Sequence, residues 1–384
     1  MVYFIREHWM LAAAALAALT SMLVVPPDEA YLRYFDWKTI GCLFCVLAMA
    51  NALRRIGTFD RIARMAIARQ SSPRTLALTI VLTTAAFSMA FTNDVALVIM
   101  LPLSASVLVE LNQTRLVPAV FALQALAANL CGMVTPFGNP QNLYIYSHFH
   151  LGLVEFLTTM IPPFLLSLAG VIAATMLATG KTTTGNLNKK ELQAPATKPF
   201  SPQMPIDRRR LSAYGFLFVV TLMAVFRIVP TAAAVVVIAG ALAIADRKAL
   251  VEVDYALLAT FMCFFAFAGN MSRLPTMGDF LGPLMDRWGL LVSACTSQVI
   301  SNVPAAVVLS HFTEAWQPLL VGVNIGGAGT FVGSLASLIA IRYFSLARKV
   351  FPRLRADDAP TMGHFLCLFG LMNAAFFVML LAFC

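Results

Sequence analysis

The stretch ANLCGMVTPFGNPQN, residues 127–141, interrupts an apolar run that otherwise reads as helix. Gly132, Pro136, Gly138 and Pro140 break a helix and leave main-chain groups unpaired. In hydrocarbon each unpaired group costs several kcal/mol. An irregular main chain is therefore tolerated at membrane depth only where it is buried in protein or lines a wet cavity. Such a break also exposes half-helix ends. N-terminal ends offer N–H groups to an anion, and C-terminal ends offer carbonyls to a cation. Asn129, Thr135, Asn139 and Asn142 add uncharged donors and acceptors around it.

The surroundings justify a hydrocarbon setting. Of 384 residues, 60% are hydrophobic and 12% charged, against about 25% charged in a soluble domain. The apolar residues form separate runs long enough to cross ~30 Å of hydrocarbon, which predicts an all-α polytopic membrane protein. Helices are expected near 9–25, 37–53, 116–134, 156–178, 211–229, 231–246, 254–271 and 363–383. Two regions, 75–110 and 288–311, read as pairs of short helices around FTNDV and ISNVP. Arms of about 16 residues reach ~24 Å, short of the hydrocarbon thickness. The preferred reading is re-entrant hairpins whose tips meet in mid-membrane. Residues 116–148 and 317–343 read as broken helices. IGTFDRIARMAIAR at 56–69 sets apolar residues opposite arginines at helical spacing and reads as a helix lying in the cytoplasmic interface.

The net charge of +9 is a topology signal. Basic residues gather at 54–74, 181–210, 247–248 and 342–355, while 26–36, 147–155 and 272–287 carry few. With the basic loops inside, the chain threads a cell (inner) membrane with a cytoplasmic N-terminus and an external C-terminus. The same distribution excludes nucleic acid as a partner. The polar stretch 179–210 reads as a basic cytoplasmic linker. The N-terminal apolar run has no clean small-x-small cleavage site and reads as a retained first helix. Cys42 and Cys45 have CxxC spacing inside an apolar helix, with no His or further Cys nearby, and read as buried apolar residues. There is no Walker A loop, HExxH or GxSxG. No enzyme, cofactor or metal site is expected beyond a coupling Na⁺.

The second half echoes the first. FDWKTIGCLFCVLAMAN at 35–51 resembles VDYALLATFMCFFAFAG at 253–269, with Asp36 on Asp254. FTNDVALVIMLPL at 91–103 resembles ISNVPAAVVLSHF at 300–312, with Asn93 on Asn302. NLCGMVTPFGNPQNL at 129–143 aligns without gaps on NIGGAGTFVGSLASL at 324–338. The expected division is a first repeat over 1–178, the linker 179–210, and an extra span plus a second repeat over 211–384. The extra span, 211–229, inverts the second repeat relative to the first. Inverted repeats with helices broken at matching positions are the signature of secondary transporters, with the site at the repeat interface.

Asp94 is the one acid in 61–109. An intramembrane carboxylate is a functional candidate by default, as Na⁺ ligand or proton carrier. An N-cap for the helix starting at Val95 is the structural alternative. The second break offers Asn324, Thr330 and Ser334 beside the first break's Asn139.

The paired TND and SNV tips and the two breaks resemble the ion-transporter superfamily, which includes citrate and divalent-anion/Na⁺ symporters, arsenite-efflux permeases and a Na⁺/H⁺ antiporter branch. The pattern is most similar to uncharacterised bacterial anion permeases with a citrate-transporter-like domain. The resemblance implies that Thr92, Asn93 and Asp94 form one substrate-binding motif and Ser301, Asn302 and Val303 the other. It implies two coupling-cation sites, completed by Gly132, Thr135, Pro136 and Gly138 in one repeat and by Gly327, Thr330 and Gly333 in the other. It also implies elevator-like alternating access against a scaffold that often dimerises. Asn93, Asp94, Asn129, Asn302 and Asn324 are candidate cation neighbours, and Asn139, Thr330 and Ser334 candidate substrate contacts. The motif's third position is Asp94 in one repeat and Val303 in the other, where the family pattern has a hydroxyl. An Asn-Asp pair is more like the arsenite-efflux branch. Cation-coupled transport of a small anion, of the citrate/dicarboxylate or inorganic oxyanion class, is the leading expectation. Oxyanion efflux or Na⁺/H⁺ antiport through Asp94 is the alternative within transport; a channel is another.

Overall fold

A computed structural model describes residues 9–180, 207–356 and 359–384. The linker expected at 179–210 lies largely outside them. Among the described residues there are helices and no strands. In chain order they are α1 (Trp9–Val24), α2 (Trp37–Arg55), α3 (Thr58–Ile67), α4 (Pro73–Ala90), α5 (Asn93–Glu110), α6 (Val117–Gly132), α7 (Pro140–His148), α8 (Leu153–Thr179), α9 (Arg208–Val225), α10 (Thr231–Ala245), α11 (Arg247–Val251), α12 (Tyr255–Ser272), α13 (Pro275–Ile300), α14 (Asn302–Leu309), α15 (Trp316–Ile325), α16 (Leu335–Val350) and α17 (Met362–Phe383). Six of the described spans are long and apolar enough to cross a bilayer, and a seventh if α2 and α3, bent by 62° at Gly57, are one span. The protein is an all-α, multi-pass membrane protein.

Local chemistry sets the helix starts. Asp36 accepts from the N–H groups of Lys38 and Thr39 at the head of α2. Asp254 does the same for Leu257 at the head of α12. These two acids, matched between the halves, are N-caps. Ser72 and Thr75 cap α4 reciprocally, with Pro73 in its first turn. The amphipathic helix expected at 56–69 is α3, whose Phe59, Ala63 and Ile67 are buried.

All of α6 is buried, and it forms the axis of the packing. Phe121 of α6 meets Phe344 of α16 edge-on, at 6.0 Å between centroids, and Phe344 stacks on Phe365 of α17 at 4.2 Å. The periphery is apolar too: Leu165, Leu177, Val236, Ile244, Leu371 and Val378 are exposed, as lipid-facing side chains must be. On one face Arg55 pairs with Asp246 at 3.0 Å and with Glu252 at 2.5 Å, tying the end of α2 to the α10–α12 connection. On the opposite face Arg273, after α12, pairs with Asp28 at 2.8 Å.

The hairpins differ from expectation in their arms. α4 and α5 have 18 residues each, or ~27 Å, and each is long enough to cross by length and composition. In the second half, residues 275–287 are helical where a loop was expected, and α13 continues through a kink at Trp288 (φ −133°, ψ 28°). Beyond that kink only a dozen residues lead to the tip, and α14 returns with 8.

Each tip is tied to a break. The Asn93 N–H donates to Gly138 O at 3.1 Å, and the Asn302 N–H donates to Gly333 O at 3.1 Å. The Thr135 hydroxyl donates to Met89 O at 2.9 Å, and the Thr330 hydroxyl donates to Gln298 O at 2.9 Å. Partners correspond in both pairs under the alignments read from the sequence. α7 then runs on beside α14, with Tyr144 Oη 2.7 Å from Ser310 Oγ.

Candidate functional site

The two tips and the following half-helices α7 and α16 face one cavity of about 120 Å³. Its polar wall is Asn93, Asp94, Gln141, Thr260, Ser301, Asn302 and Ser334, and its apolar wall includes Leu11, Leu257 and Phe264. Asp254 stands at its rim, exposed at the head of α12. Among the described residues, the charged members of the lining are Asp94 and Asp254.

The sequence folds this way because the helix cannot continue. After Gly132 the chain turns through 133–139 and restarts at Pro140, whose missing N–H suits a first turn. Gly138 lies against Gly132 O, where a Cβ would collide. Side chains then satisfy the freed groups. Asn142 Nδ2 donates to Met133 O at 3.0 Å and to Thr135 O at 3.2 Å. Asn139 Nδ2 donates to Asn129 O at 3.0 Å and to Asn324 Oδ1 at 3.2 Å. Gln141 Nε2 also donates to Asn324 Oδ1, at 3.1 Å. Asn324 Nδ2 donates to Asn142 Oδ1 at 2.6 Å. Ser334 Oγ donates to Asn129 Oδ1 at 3.4 Å. Asn139 to Asn324 and Ser334 to Asn129 are reciprocal, because 129 aligns with 324 and 139 with 334. Each break thus bonds to the other.

What remains unpaired is concentrated here. Among the described residues, ten side-chain atoms are buried without a partner, and six belong to this site: Thr92 Oγ1, Asp94 Oδ1, Asn129 Nδ2, Asn139 Oδ1, Gln141 Oε1 and Asn302 Nδ2. Each costs about 1–3 kcal/mol unless something bonds to it. Ser301 adds strain, since its φ of 74° is rare for a residue with a Cβ. A packed core does not gather both kinds of cost at one cavity; a ligand site does.

The predicted residues fall into three groups. Asn93, Asp94, Ser301, Asn302 and Ser334 line the cavity, with Val303 beside them. Thr92, Asn129, Asn139 and Asn324 stand behind it, all buried, and Gly327 packs against the Asn129 amide. Thr135, Pro136, Gly132, Gly138 and Gly333 shape the breaks without lining the cavity, and Thr330 is exposed. Asp94 lies in the first turn of α5, which has no side-chain cap bond, so Asp94 does not act as a cap. Gln141, Asp254 and Gln298 were not singled out in advance. For Gln298 the signal was a carboxamide one turn before the tip, in an arm whose matched position is Met89. Among the described residues no three His, Cys, Asp or Glu side chains gather to hold a metal.

Comparison with known proteins follows the same lines. A family model described as citrate transporter matches residues 1–321. The chain is 33% identical to the inner membrane protein YbiR of Escherichia coli over 338 residues, 85% of each chain. It is 28% identical to an uncharacterised transporter of Methanocaldococcus jannaschii over 364 residues, 94% of this chain and 92% of that one. Over 158 residues, 40% of this chain and 32% of the other, it is 32% identical to a silicon efflux transporter of Oryza sativa subsp. japonica.

Proposed function

The chain belongs to the citrate transporter family, and on that premise we propose that it is a secondary active transporter of a small oxyacid anion, coupled to Na⁺ or H⁺. One observation carries the reading. Unpaired buried donors and acceptors from two matched hairpin–break units gather at one cavity, with those of Asp94, Gln141 and Asn302 in its wall and those of Thr92, Asn129 and Asn139 behind it. Halves 1–178 and 211–384 act as inverted repeats, a reading supported by the reciprocal contacts between the breaks and by the basic loops on alternate connections. Substrate oxygens meet Asn93, Ser301 and Asn302, and transport proceeds by alternating access with no chemistry on the cargo.

The test is a thermal-stability screen of detergent-purified protein with citrate, succinate, sulfate, phosphate, arsenite and silicate. Each is tried with and without Na⁺ and at two pH values. A ligand at 100 times its Kd stabilises by about 2.7 kcal/mol. A carboxylate shift that requires Na⁺ supports symport. No shift with any anion, in protein that unfolds cooperatively, removes the anion reading.

A second reading has its own support. Among the described residues, the charged side chains of the lining are both carboxylates, which repel a dianion but not a weak oxyacid in its neutral form. A relative over part of the chain is named as a silicon efflux transporter. Proton-linked efflux of such an acid through Asp94 predicts pH-driven, Na⁺-independent flux that Asp94→Asn abolishes.

A further inference from the structure

The two half-sites share a main-chain plan but differ in what fills them. In the second, the Gln298 carboxamide reaches from α13 into the break. Its Nε2 donates to Gly326 O at 2.7 Å and Ala328 O at 2.9 Å, with Ala294 O at 3.3 Å. Its Oε1 accepts the Thr330 N–H at 2.7 Å. Gly329, at φ +116°, wraps the chain around that oxygen, where a Cβ would collide. Carbonyls of an unwound turn converging on one point are what a broken helix offers a cation. Here they converge on an amide nitrogen with two N–H groups to give.

The first half-site lacks this plug. Position 298 corresponds to Met89, whose thioether donates nothing. There Asn142, from α7 rather than from the hairpin arm, takes the Met133 and Thr135 carbonyls. The unpaired oxygens Thr92 Oγ1, Asp94 Oδ1, Asn139 Oδ1 and Gln141 Oε1 all belong to this half, beside one unpaired donor, Asn129 Nδ2, and Asp94 adds the only carboxylate at either tip. Across the cavity the matching tip has Val303, and the unpaired atom there is a donor, Asn302 Nδ2.

We propose that the half-sites take different ligands: the first seats a single cation, whereas in the second Gln298 permanently occupies the cation's place. The protein then carries at most one coupling cation per cycle. This rests on the transporter reading for its meaning, but its test needs no substrate.

Gln298→Glu replaces the N–H donors with a carboxylate facing three carbonyls, an arrangement that only a cation or a proton relieves. The test compares Tm of full-length protein in NaCl and in choline chloride of equal ionic strength, at several pH values between roughly 7 and 9.5, because burial raises a carboxyl's pKa. Gln298→Glu is expected to gain an Na⁺-dependent rise of about 3 °C or more beyond that of the unaltered protein. The gain is expected to persist when Asp94→Asn is added. A folded Gln298→Glu protein with an unchanged Na⁺ response overturns the proposal. Saturation binding of radioactive Na⁺ to the unaltered protein is the second measurement. One ion per protomer supports the proposal, and none or two overturn it. If the transporter reading fails instead, no anion shifts Tm while the Gln298→Glu gain remains.

Discussion

Asn93 and Asn302 each combine a main-chain N–H bonded to a break carbonyl with a side chain facing the cavity. Removing the side chain leaves the main-chain bond in place. Asn93→Ala and Asn302→Ala are therefore expected to keep the unfolding temperature within a few degrees while abolishing saturable transport. Initial rates against substrate concentration check this, and near-normal kinetics in both variants would sink the site. Thr135 and Thr330 act differently, since their hydroxyls bond to the hairpin arm at Met89 O and Gln298 O. Each hydrogen bond is worth about 1 kcal/mol. Thr135→Val and Thr330→Val should each lower stability by about that amount and leave apparent affinity nearly unchanged. A large loss of affinity in either would return that threonine to the ligand. At this scale the tip motifs and the break polar residues were legible in the sequence because irregular, polar residues stand out in apolar runs. Gln298 was not legible as a plug, because only the folded break shows three carbonyls converging on its amide.

At the scale of elements, most helices follow from the apolar runs, and their starts follow from Asp36, Ser72 and Asp254 as caps. The helix at 275–287 was hidden by its composition. Gly278, Gly282 and Pro283 argue for a loop, yet the segment stays helical into the kink at Trp288. The arms of the first hairpin were underestimated because Pro73 and Asn93 extend them into the flanking turns. Between elements, Arg273 holds the exposed Asp28 carboxyl below the usual carboxylate range, through their hydrogen bond first and backbone bonds second. A lowered acid stabilises above its unfolded pKa, and that stabilisation is lost as pH falls through the folded value. The Tm difference between the unaltered protein and Asp28→Asn should thus be present at neutral pH, begin to fall near about pH 4 and vanish only below the lowered folded value. A difference that does not change with pH would mean the pair contributes through packing rather than charge.

For the whole molecule, the all-α membrane class was legible from composition and apolar runs, whereas the facing of the two halves was not. No local signal says that Asn139 reaches Asn324. That contact exists only once both breaks are buried together. The cavity opens beside Asp254 and the start of α1, on the side carrying Arg247 and Lys248. A cysteine at its wall should report that direction. Leu257→Cys is expected to react with a membrane-impermeant thiol reagent from the face bearing those basic residues and to be protected from the other. Equal labelling from both faces would indicate a continuous pore and favour a channel. The tethers between tips and breaks, Asn93 to Gly138 and Asn302 to Gly333, run from main chain to main chain. No exchange of side chains short of proline deletes them, so the chassis tolerates what the cargo contacts require. A library randomised at 92–94 and 301–303 would therefore yield many well-folded proteins with altered cargo, and divergence between relatives could proceed through six positions without rebuilding the frame.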